Sequence, residues 1–256
     1  MFSQEPRCIY RNNQLAEVIC QLRFPDILTI NTKSPADFQE LIRTEYPKYT
    51  VRTETPAQPF ATTQLNPQPV QNHQFSTKDN VWRINLTSHF ISLSCSRYTS
   101  WEAFAKRLDM PLAAFIQIYN PAYFERIGLR YLNFFSRKQL SMEDVPFREM
   151  FRESYLGLLG DEELTETAVS RSSVDSELSL RGGCRGKIHA GPGLVKRGGV
   201  EDGEVKFIFD QDLYMNGNVP VNYAAGALET LHTQAFSIFR DAITDKLHEA
   251  MEPSDI

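Results

Sequence analysis

The acidic residues Asp210 and Asp212 are the pair in this sequence whose type and spacing best suit chemistry. They lie two positions apart in the segment FIFDQDLY, and because side chains alternate along a strand, both carboxylates point to one face together with Ile208. Two such carboxylates can hold Mg²⁺ or Mn²⁺ in nucleotidyl-transfer and phosphodiester enzymes. A third carboxylate must then come from elsewhere, with Glu17 and Glu125 as candidates; otherwise the two acids are solvated where the strand leaves the sheet.

A basic, glycine-rich stretch at residues 181–199, RGGCRGKIHAGPGLVKRGG, is the second candidate site. It contains seven of the chain's 13 glycines and no acidic residue. It does not fit the G-x-x-x-x-G-K-[ST] pattern of a phosphate-binding loop, since Ile188 follows Lys187. We predict a glycine-rich hairpin whose basic residues either attract phosphates or an acidic partner, or are solvated while the glycines serve turns. The basic residues of this hairpin are Arg181, Arg185, Lys187, Lys196 and Arg197.

The other reactive residue types form no complete catalytic set. The five histidines are scattered and fit neither an H-E-x-x-H motif nor zinc spacing with a cysteine. One of them, His232, is predicted to be a hydrogen-bonded, partly buried ring on the last helix. No G-x-S-x-G motif is present. The sequence therefore favours a protein without catalysis but leaves enzymatic activity open, and we expect no cofactor.

Three arginines lie on predicted strands rather than in loops: Arg23, Arg126 and Arg130. If one face of the sheet is open to solvent, these arginines form part of a polar platform. The competing interpretation, which we favour, is that they pair across strands with Glu17 and Glu125.

The composition is ordinary for a globular protein. The chain has 256 residues, of which 41% are hydrophobic and 23% charged, and its net charge is -5. This balance argues against a basic nucleic-acid coat but permits a local basic patch. No apolar run reaches the roughly 18 residues of a membrane helix, the first residues do not resemble a secretory signal, and the four cysteines are far apart. We expect a cytoplasmic, thiol-reducing location.

Hydrophobic periodicity predicts the order strand, helix, several strands and helix, and this order occurs twice. We therefore predict an α+β fold of two similar β-α-β(n)-α halves, with antiparallel sheets packed on long helices and a pseudo-two-fold duplication. The halves are residues 8–120 and 121–252, joined in one compact unit. The predicted helices are residues 34–47, 99–119, 142–160 and 224–251, and the predicted strands include residues 15–24, 80–90, 91–98, 123–135 and 204–214.

Five segments resemble, in order, the landmarks of a known family: AEVICQLRFP, YTSWEAFAKRL, ERIGLRYLN, FIFDQDLY and AFSIFRDAITDKL. The family is the TIGR-oh-four-two-five-five family, a set of sporadically distributed prokaryotic proteins of unknown function, and the similarity runs from about residue 8 to residue 250. The resemblance implies a fold and a prokaryotic origin but no catalytic residues. Patchy distribution is typical of genes on mobile elements, including phage-defence and toxin–antitoxin loci, which is an association rather than a mechanism. The basic stretch at residues 181–199 departs from the family pattern.

Two functions follow from these observations. The favoured one is a non-catalytic binding protein that uses an exposed sheet and the basic hairpin. Its partner is another protein, or a nucleic acid bound through the local basic patch. In line with the resemblance, it is an accessory or regulatory component of a mobile defence or toxin-linked locus. The alternative is a metal-dependent phosphodiester or nucleotidyl enzyme that uses Asp210 and Asp212. We expect no membrane partner, and the oligomeric state stays open.

Overall fold

The computed structural model describes residues 2–54, 69–197 and 200–255. Helices make up 32% and strands 38%, with a large antiparallel sheet, so the predicted α+β fold is confirmed. The strands are β1 (Cys8–Tyr10), β2 (Leu15–Arg23), β3 (Lys48–Glu54), β4 (Val70–Ser76), β5 (Trp82–Leu86), β6 (Phe90–Cys95), β7 (Phe124–Phe135), β8 (Val174–Ser179), β9 (Cys184–Arg197), β10 (Val200–Val219) and β11 (Pro253–Asp255). The helices are α1 (Leu28–Thr32), α2 (Ala36–Ile42), α3 (Trp101–Tyr119), α4 (Phe147–Met150), α5 (Ala224–Ala242) and α6 (Asp245–Ala250).

Within the described residues, nine strands form one sheet in the order β3-β4-β5-β6-β2-β7-β10-β9-β8, while β1 pairs with β11 separately. The order repeats a pattern. Outward from β2 come β6, β5, β4 and β3, and outward from β7 come β10, β9 and β8. Strand β6, next to β2, is the last strand before the long helix α3. Strand β10, next to β7, is the last strand before the long helix α5. The duplication of two halves stays a prediction. None of the described helices is both long enough and apolar enough to span a bilayer.

The chain divides into two compact units, each assembled from segments that are distant in sequence. The first unit contains Met1–Val18, Leu129–Met215 and Ala227–Ile256, and the second contains Ile19–Gly128 and Asn216–Gly226. Strands β2, β7 and β10 and helix α5 each contribute residues to both units. The division into halves of residues 8–120 and 121–252 stays a prediction, since these units follow contacts rather than sequence order.

Aromatic rings fill the core of the second unit. Phe24, which directly follows β2, packs on Phe115 of α3 with ring centroids 4.7 Å apart. Phe38 of α2 meets Phe75 of β4 edge to face at 5.4 Å. All four rings are fully buried. Burial of such rings is a large apolar contribution to folding, about 1.5–3 kcal/mol for each side chain.

In the first unit, strand β10 separates an apolar inner face from a polar outer face. Phe207 and Phe209 are fully buried, and Phe207 stacks on Phe151 with ring centroids 4.0 Å apart. Because side chains alternate along a strand, Asp210 and Asp212 lie on the opposite face, where both are partly exposed. The prediction that these two acids share one face is therefore confirmed.

Two predicted helices differ from the structure for one reason. The segment 142–160 forms only the short helix α4 followed by 3₁₀ turns, because Phe151 is extended and makes an isolated β-bridge with Ile243. The helix predicted over residues 224–251 is interrupted at the same place. Its second part, α6, begins after Thr244, whose side chain accepts a hydrogen bond from the Leu247 N–H at 3.3 Å. A tertiary pairing thus overrides local helical periodicity.

The basic, glycine-rich stretch is one arm of a hairpin rather than a hairpin by itself. Gly182 and Gly183 have positive φ angles of 68° and 74° in the turn before β9, a conformation that glycine adopts at low cost. The next 14 residues form the single strand β9, which pairs along β10. Gly191 permits a close approach, since a Cβ there would lie 2.5 Å from the Ser172 carbonyl oxygen. The prediction of a self-contained hairpin is wrong because residues 184–197 form one strand. Gly182 and Gly183 serve a turn, as predicted, whereas Gly191 serves a close approach. Gly198 and Gly199 lie outside the described residues.

Candidate functional site

The outer sides of β8, β9 and β10 form a face rich in ionisable groups. In β9 the residues at even positions from Cys184 to Ala190 are buried, so Arg185, Lys187 and His189 point outward. Strand β8 alternates in the same way and exposes Asp175 and Glu177. We call the following residues the charged face: Arg130, Asp175, Glu177, Lys187, His189, Asp210 and Asp212.

Antiparallel register aligns these side chains in rows across the three strands. In one row His189 lies between Asp175 and Asp210, and in the next Lys187 lies between Glu177 and Asp212. Each row therefore has a nitrogen-bearing side chain on β9 between two carboxylates. Opposite charges in directly opposed positions stabilise such pairings. The sequence could not show this arrangement, because it depends on the register of three strands.

Arg130 of β7 binds Asp210 in a bidentate geometry. Its Nε donates to Asp210 Oδ1 at 2.7 Å and its Nη2 donates to Oδ2. These hydrogen bonds raise the pKa of Arg130 further above its usual value, and they hold both carboxylate oxygens in a fixed orientation. In the same row, His189 Nδ1 lies 2.8 Å from Asp175 Oδ1. Arg130 thus pairs across strands, as predicted, and its bidentate partner is Asp210, which the prediction did not name.

The second row contains an ion pair that is open to solvent. Lys187 Nζ lies 2.9 Å from Glu177 Oε1, and the two side chains are 55% and 76% exposed. Their hydrogen bond lowers the pKa of Glu177 and raises the pKa of Lys187. At this exposure the pair adds little to stability. Both charged groups are therefore largely solvated and stay accessible to a partner.

The charged face surrounds a cleft of about 380 Å³, which Ser176 and Ile188 also line. The volume lies within the range of ligand pockets, but the lining is ionic rather than apolar. The cleft has four carboxylates (Asp175, Glu177, Asp210 and Asp212) against two permanent cations (Arg130 and Lys187) and the single imidazole of His189, so carboxylates are in excess. It therefore repels phosphate groups and attracts cationic ones.

The metal-ion hypothesis for Asp210 and Asp212 gains no support from this geometry. Both oxygens of Asp210 already accept hydrogen bonds from Arg130. The acids that share the cleft with the pair are on β8, and neither Glu17 nor Glu125 is among the lining residues. In the part of the chain that the structure describes, no three His, Cys, Asp or Glu residues come together as a metal site.

The five basic residues of the predicted hairpin are spread along the molecule. Arg181 lies in the turn before β9, where its backbone N–H donates a hydrogen bond to Gln234 Oε1 at 3.1 Å. Lys187 lines the cleft, but Lys196 is nine residues further along β9, about 30 Å in an extended strand. Arg185 lies between Arg181 and Lys187 and points outward from β9. The side chain of Arg197 is outside the described part of the chain. A joint binding role for all five stays a prediction.

The prediction for His232 is confirmed by its contacts in the first unit. The ring is 8% exposed, its Nδ1 lies 2.7 Å from the Tyr131 hydroxyl oxygen, and its Nε2 accepts a hydrogen bond from the Arg7 guanidinium. Arginine has no acceptor atom, so the guanidinium of Arg7 is the donor in this contact. Both ring nitrogens of this histidine thus have partners within the fold.

Comparison with known proteins adds no family. No protein-family model matches the chain, and no curated protein matches it. The resemblance to the sporadically distributed prokaryotic family therefore stays a prediction.

Proposed function

We propose that this protein is a non-catalytic binding protein that holds a partner protein on the charged face. One observation carries the proposal: two rows, each with a nitrogen-bearing side chain between two carboxylates, line a cleft in which carboxylates outnumber permanent cations. The ionisable side chains are engaged with one another, as in the contacts of Arg130 with Asp210 and of Lys187 with Glu177. The exposed charges around these pairs suit recognition, since complementary charge patterns across an interface give specificity and fast association.

The charge balance favours a basic protein segment over a nucleic acid as the partner. A nucleic acid needs cations that neutralise its phosphates, whereas Asp175, Glu177 and Asp212 present negative charge around Lys187. Lysine or arginine side chains of a partner would lie over these carboxylates. Lys187 and Arg130 then oppose a uniformly basic partner, so the bound segment should carry acidic residues at matching positions.

The fixed geometry of the charged face lowers the cost of binding. Side chains that are already hydrogen-bonded lose little rotational freedom when a partner arrives. The bidentate Arg130–Asp210 contact and the His189–Asp175 contact at 2.8 Å both have this effect. Two parts of the proposal rest on the sequence alone: the cytoplasmic location and the accessory role in a mobile defence or toxin-linked locus. The identities of the neighbouring genes test the accessory role.

Fluorescence anisotropy with labelled peptides tests the proposed function directly. The panel contains basic, mixed-charge, acidic and uncharged peptides together with a single-stranded oligonucleotide. We expect binding of basic or mixed-charge peptides, a steep decrease with added salt, and at least about a tenfold weaker affinity for the double variant Glu177→Gln/Asp212→Asn.

The matched control is Glu40→Gln, which removes one carboxylate from the exposed surface of α2, where the Glu40 side chain is 62% exposed. This variant should bind as the unaltered protein does. Preference for the oligonucleotide, or equal affinities for the double variant and the unaltered protein, would refute the assignment of the charged face as a site for basic protein segments.

A further inference from the structure

Strand β3 is one of the two end strands of the sheet, with β8 at the other end, in the part of the chain that the structure describes. It pairs with β4 on one side, and all seven of its residues are exposed. An end strand presents backbone N–H and C=O groups that can pair with another strand, and proteins commonly protect such edges. The sequence KYTVRTE has no proline and carries β-branched and aromatic residues, which favour strand pairing.

The sequence of β3 is complementary to itself. If two copies align antiparallel with Val51 opposite Val51, Lys48 of one copy lies opposite Glu54 of the other. Tyr49 then lies opposite Thr53, and Thr50 opposite Arg52. The two-fold axis repeats each pairing, so that two Lys48–Glu54 ion pairs form at the ends of the aligned strands. No like charges are directly opposed in this register.

Both charged residues keep capacity for such a pair. Lys48 Nζ donates to the Lys78 carbonyl oxygen at 2.6 Å and to Asn80 Oδ1 at 3.0 Å, and an ammonium group has three donors. Glu54 accepts a hydrogen bond from Asn72 Nδ2 at 2.7 Å through Oε1, while a carboxylate accepts several. The existing contacts thus orient the two side chains without saturating them.

Apolar surface on β3 would be covered by the same pairing. Tyr49 and Val51 are 38% and 48% exposed and lie on one face of the strand, opposite Phe75 and His73 of β4. The Tyr49 hydroxyl lies 3.0 Å from His73 Nδ1, which fixes the ring at the sheet edge. In the antiparallel alignment the two Val51 side chains meet at the axis, where cross-strand β-branched pairs stabilise a sheet.

We propose that two copies of this chain associate through β3, paired antiparallel about Val51, so that the sheet continues from one copy into the other. This interaction is independent of the charged face. A pair of seven-residue strands buries less surface than the roughly 1,200 Å² of a stable interface. The dimer therefore dissociates on dilution rather than being permanent.

Charge reversal with rescue tests the proposed register. Sedimentation velocity over a concentration series should show a reversible monomer–dimer equilibrium for the unaltered protein. Glu54→Lys and Lys48→Glu each place two like-charged pairs in the interface and should weaken dimerisation about tenfold or more. The double variant Lys48→Glu/Glu54→Lys restores opposite charges and should restore the dimer. The control is Glu40→Lys on α2, which should leave the monomer–dimer equilibrium unchanged.

A disulfide trap gives a second, independent measurement. Val51→Cys places two thiols at the axis and should form a covalent dimer under mild oxidation, which the unaltered protein and Ser179→Cys on β8 should not form. Circular dichroism confirms that each variant is folded. A protein that stays monomeric at all concentrations, a double variant that stays monomeric, or equal cross-linking through Ser179→Cys would overturn the proposal.

Discussion

Arg130 and Asp210 control the geometry of the charged face at the level of single residues. The Asp210 side chain is 17% exposed, so its carboxylate has given up part of its hydration and depends on the two guanidinium hydrogen bonds. Asp212 lies two residues away on the same face and adds negative charge. A lysine at position 130 would supply a point charge without the planar pair of donors, and both oxygens of Asp210 would no longer be held.

We predict that Arg130→Met lowers the free energy of unfolding by about 1.5 kcal/mol, the low end for a charged hydrogen bond, because Arg130 is 45% exposed. Urea unfolding at neutral pH measures this change. Adding Asp210→Asn in the same chain should recover part of the loss, since no ionised carboxylate then lacks its partner. Strictly additive effects of the two substitutions would show that the contact does not stabilise the fold.

The sequence predicted half of this arrangement. The spacing of Asp210 and Asp212 placed both on one face, because alternation along a strand needs no knowledge of the neighbours. Their opposition to His189 and Lys187 depends on strand register, and no local signal in the sequence determines it. One signal was present but not used: the segment VDSELS alternates acids with less polar residues, which indicates that Asp175 and Glu177 share a face.

At the level of elements, β9 carries the outward row of nitrogen-bearing side chains and must lie close to its neighbours to do so. The Ser172–Ser173 backbone approaches β9 most closely at Gly191, where an added Cβ would meet the Ser172 oxygen at 2.5 Å and the Ser173 Cα at 3.0 Å. Gly186 on the same strand has room, with its nearest neighbour at 3.4 Å. The two glycines therefore serve different purposes.

Gly191→Ala should destabilise the protein by about 1–3 kcal/mol, because backbone atoms cannot move aside as a flexible side chain can. Gly186→Ala is the matched control and should change the free energy of unfolding by less than about 0.5 kcal/mol. Chemical unfolding of the two variants and the unaltered protein provides the comparison. Equal stabilities of the two variants would contradict the requirement for glycine at position 191.

Which elements the sequence predicted depends on whether local pattern and tertiary contacts agree. Strand β2 from Val18, strand β7 from Leu129 and strand β10 from Phe207 to Met215 alternate buried with more exposed residues. Helix α3 has a continuous apolar stripe, and all four elements were predicted. The segment 142–160 has helical periodicity as well. Its helix fails because Phe151 pairs with Ile243, a residue 92 positions away whose proximity no local pattern reveals.

On the scale of the whole molecule, the first unit depends on the start of the chain. Strand β1 pairs with β11, and the segment before β1 supplies two partners for buried side chains of α5. Glu5 accepts a hydrogen bond from Arg240 Nε at 2.6 Å, where the Arg240 side chain is 7% exposed. Arg7 donates to His232. A unit that gathers segments from both ends of the chain cannot be recognised from hydrophobic periodicity, which is local.

Removal of residues 2–7 should therefore destabilise the protein although it deletes no strand or helix. Arg240 would keep its contact with Asp245 at 2.7 Å but lose Glu5, and His232 would lose its donor. Because Glu5 is 54% exposed, we expect the free energy of unfolding to fall by about 2 kcal/mol. For a chain of this length, each kcal/mol lowers the melting temperature by about 2–4 °C. Thermal unfolding followed by circular dichroism measures it. The control is removal of residues 2–4 alone, because the side-chain hydrogen bonds of these residues are local. This shorter truncation should have little effect on stability. Equal losses of stability in both truncations would mean that Glu5 and Arg7 are not the cause.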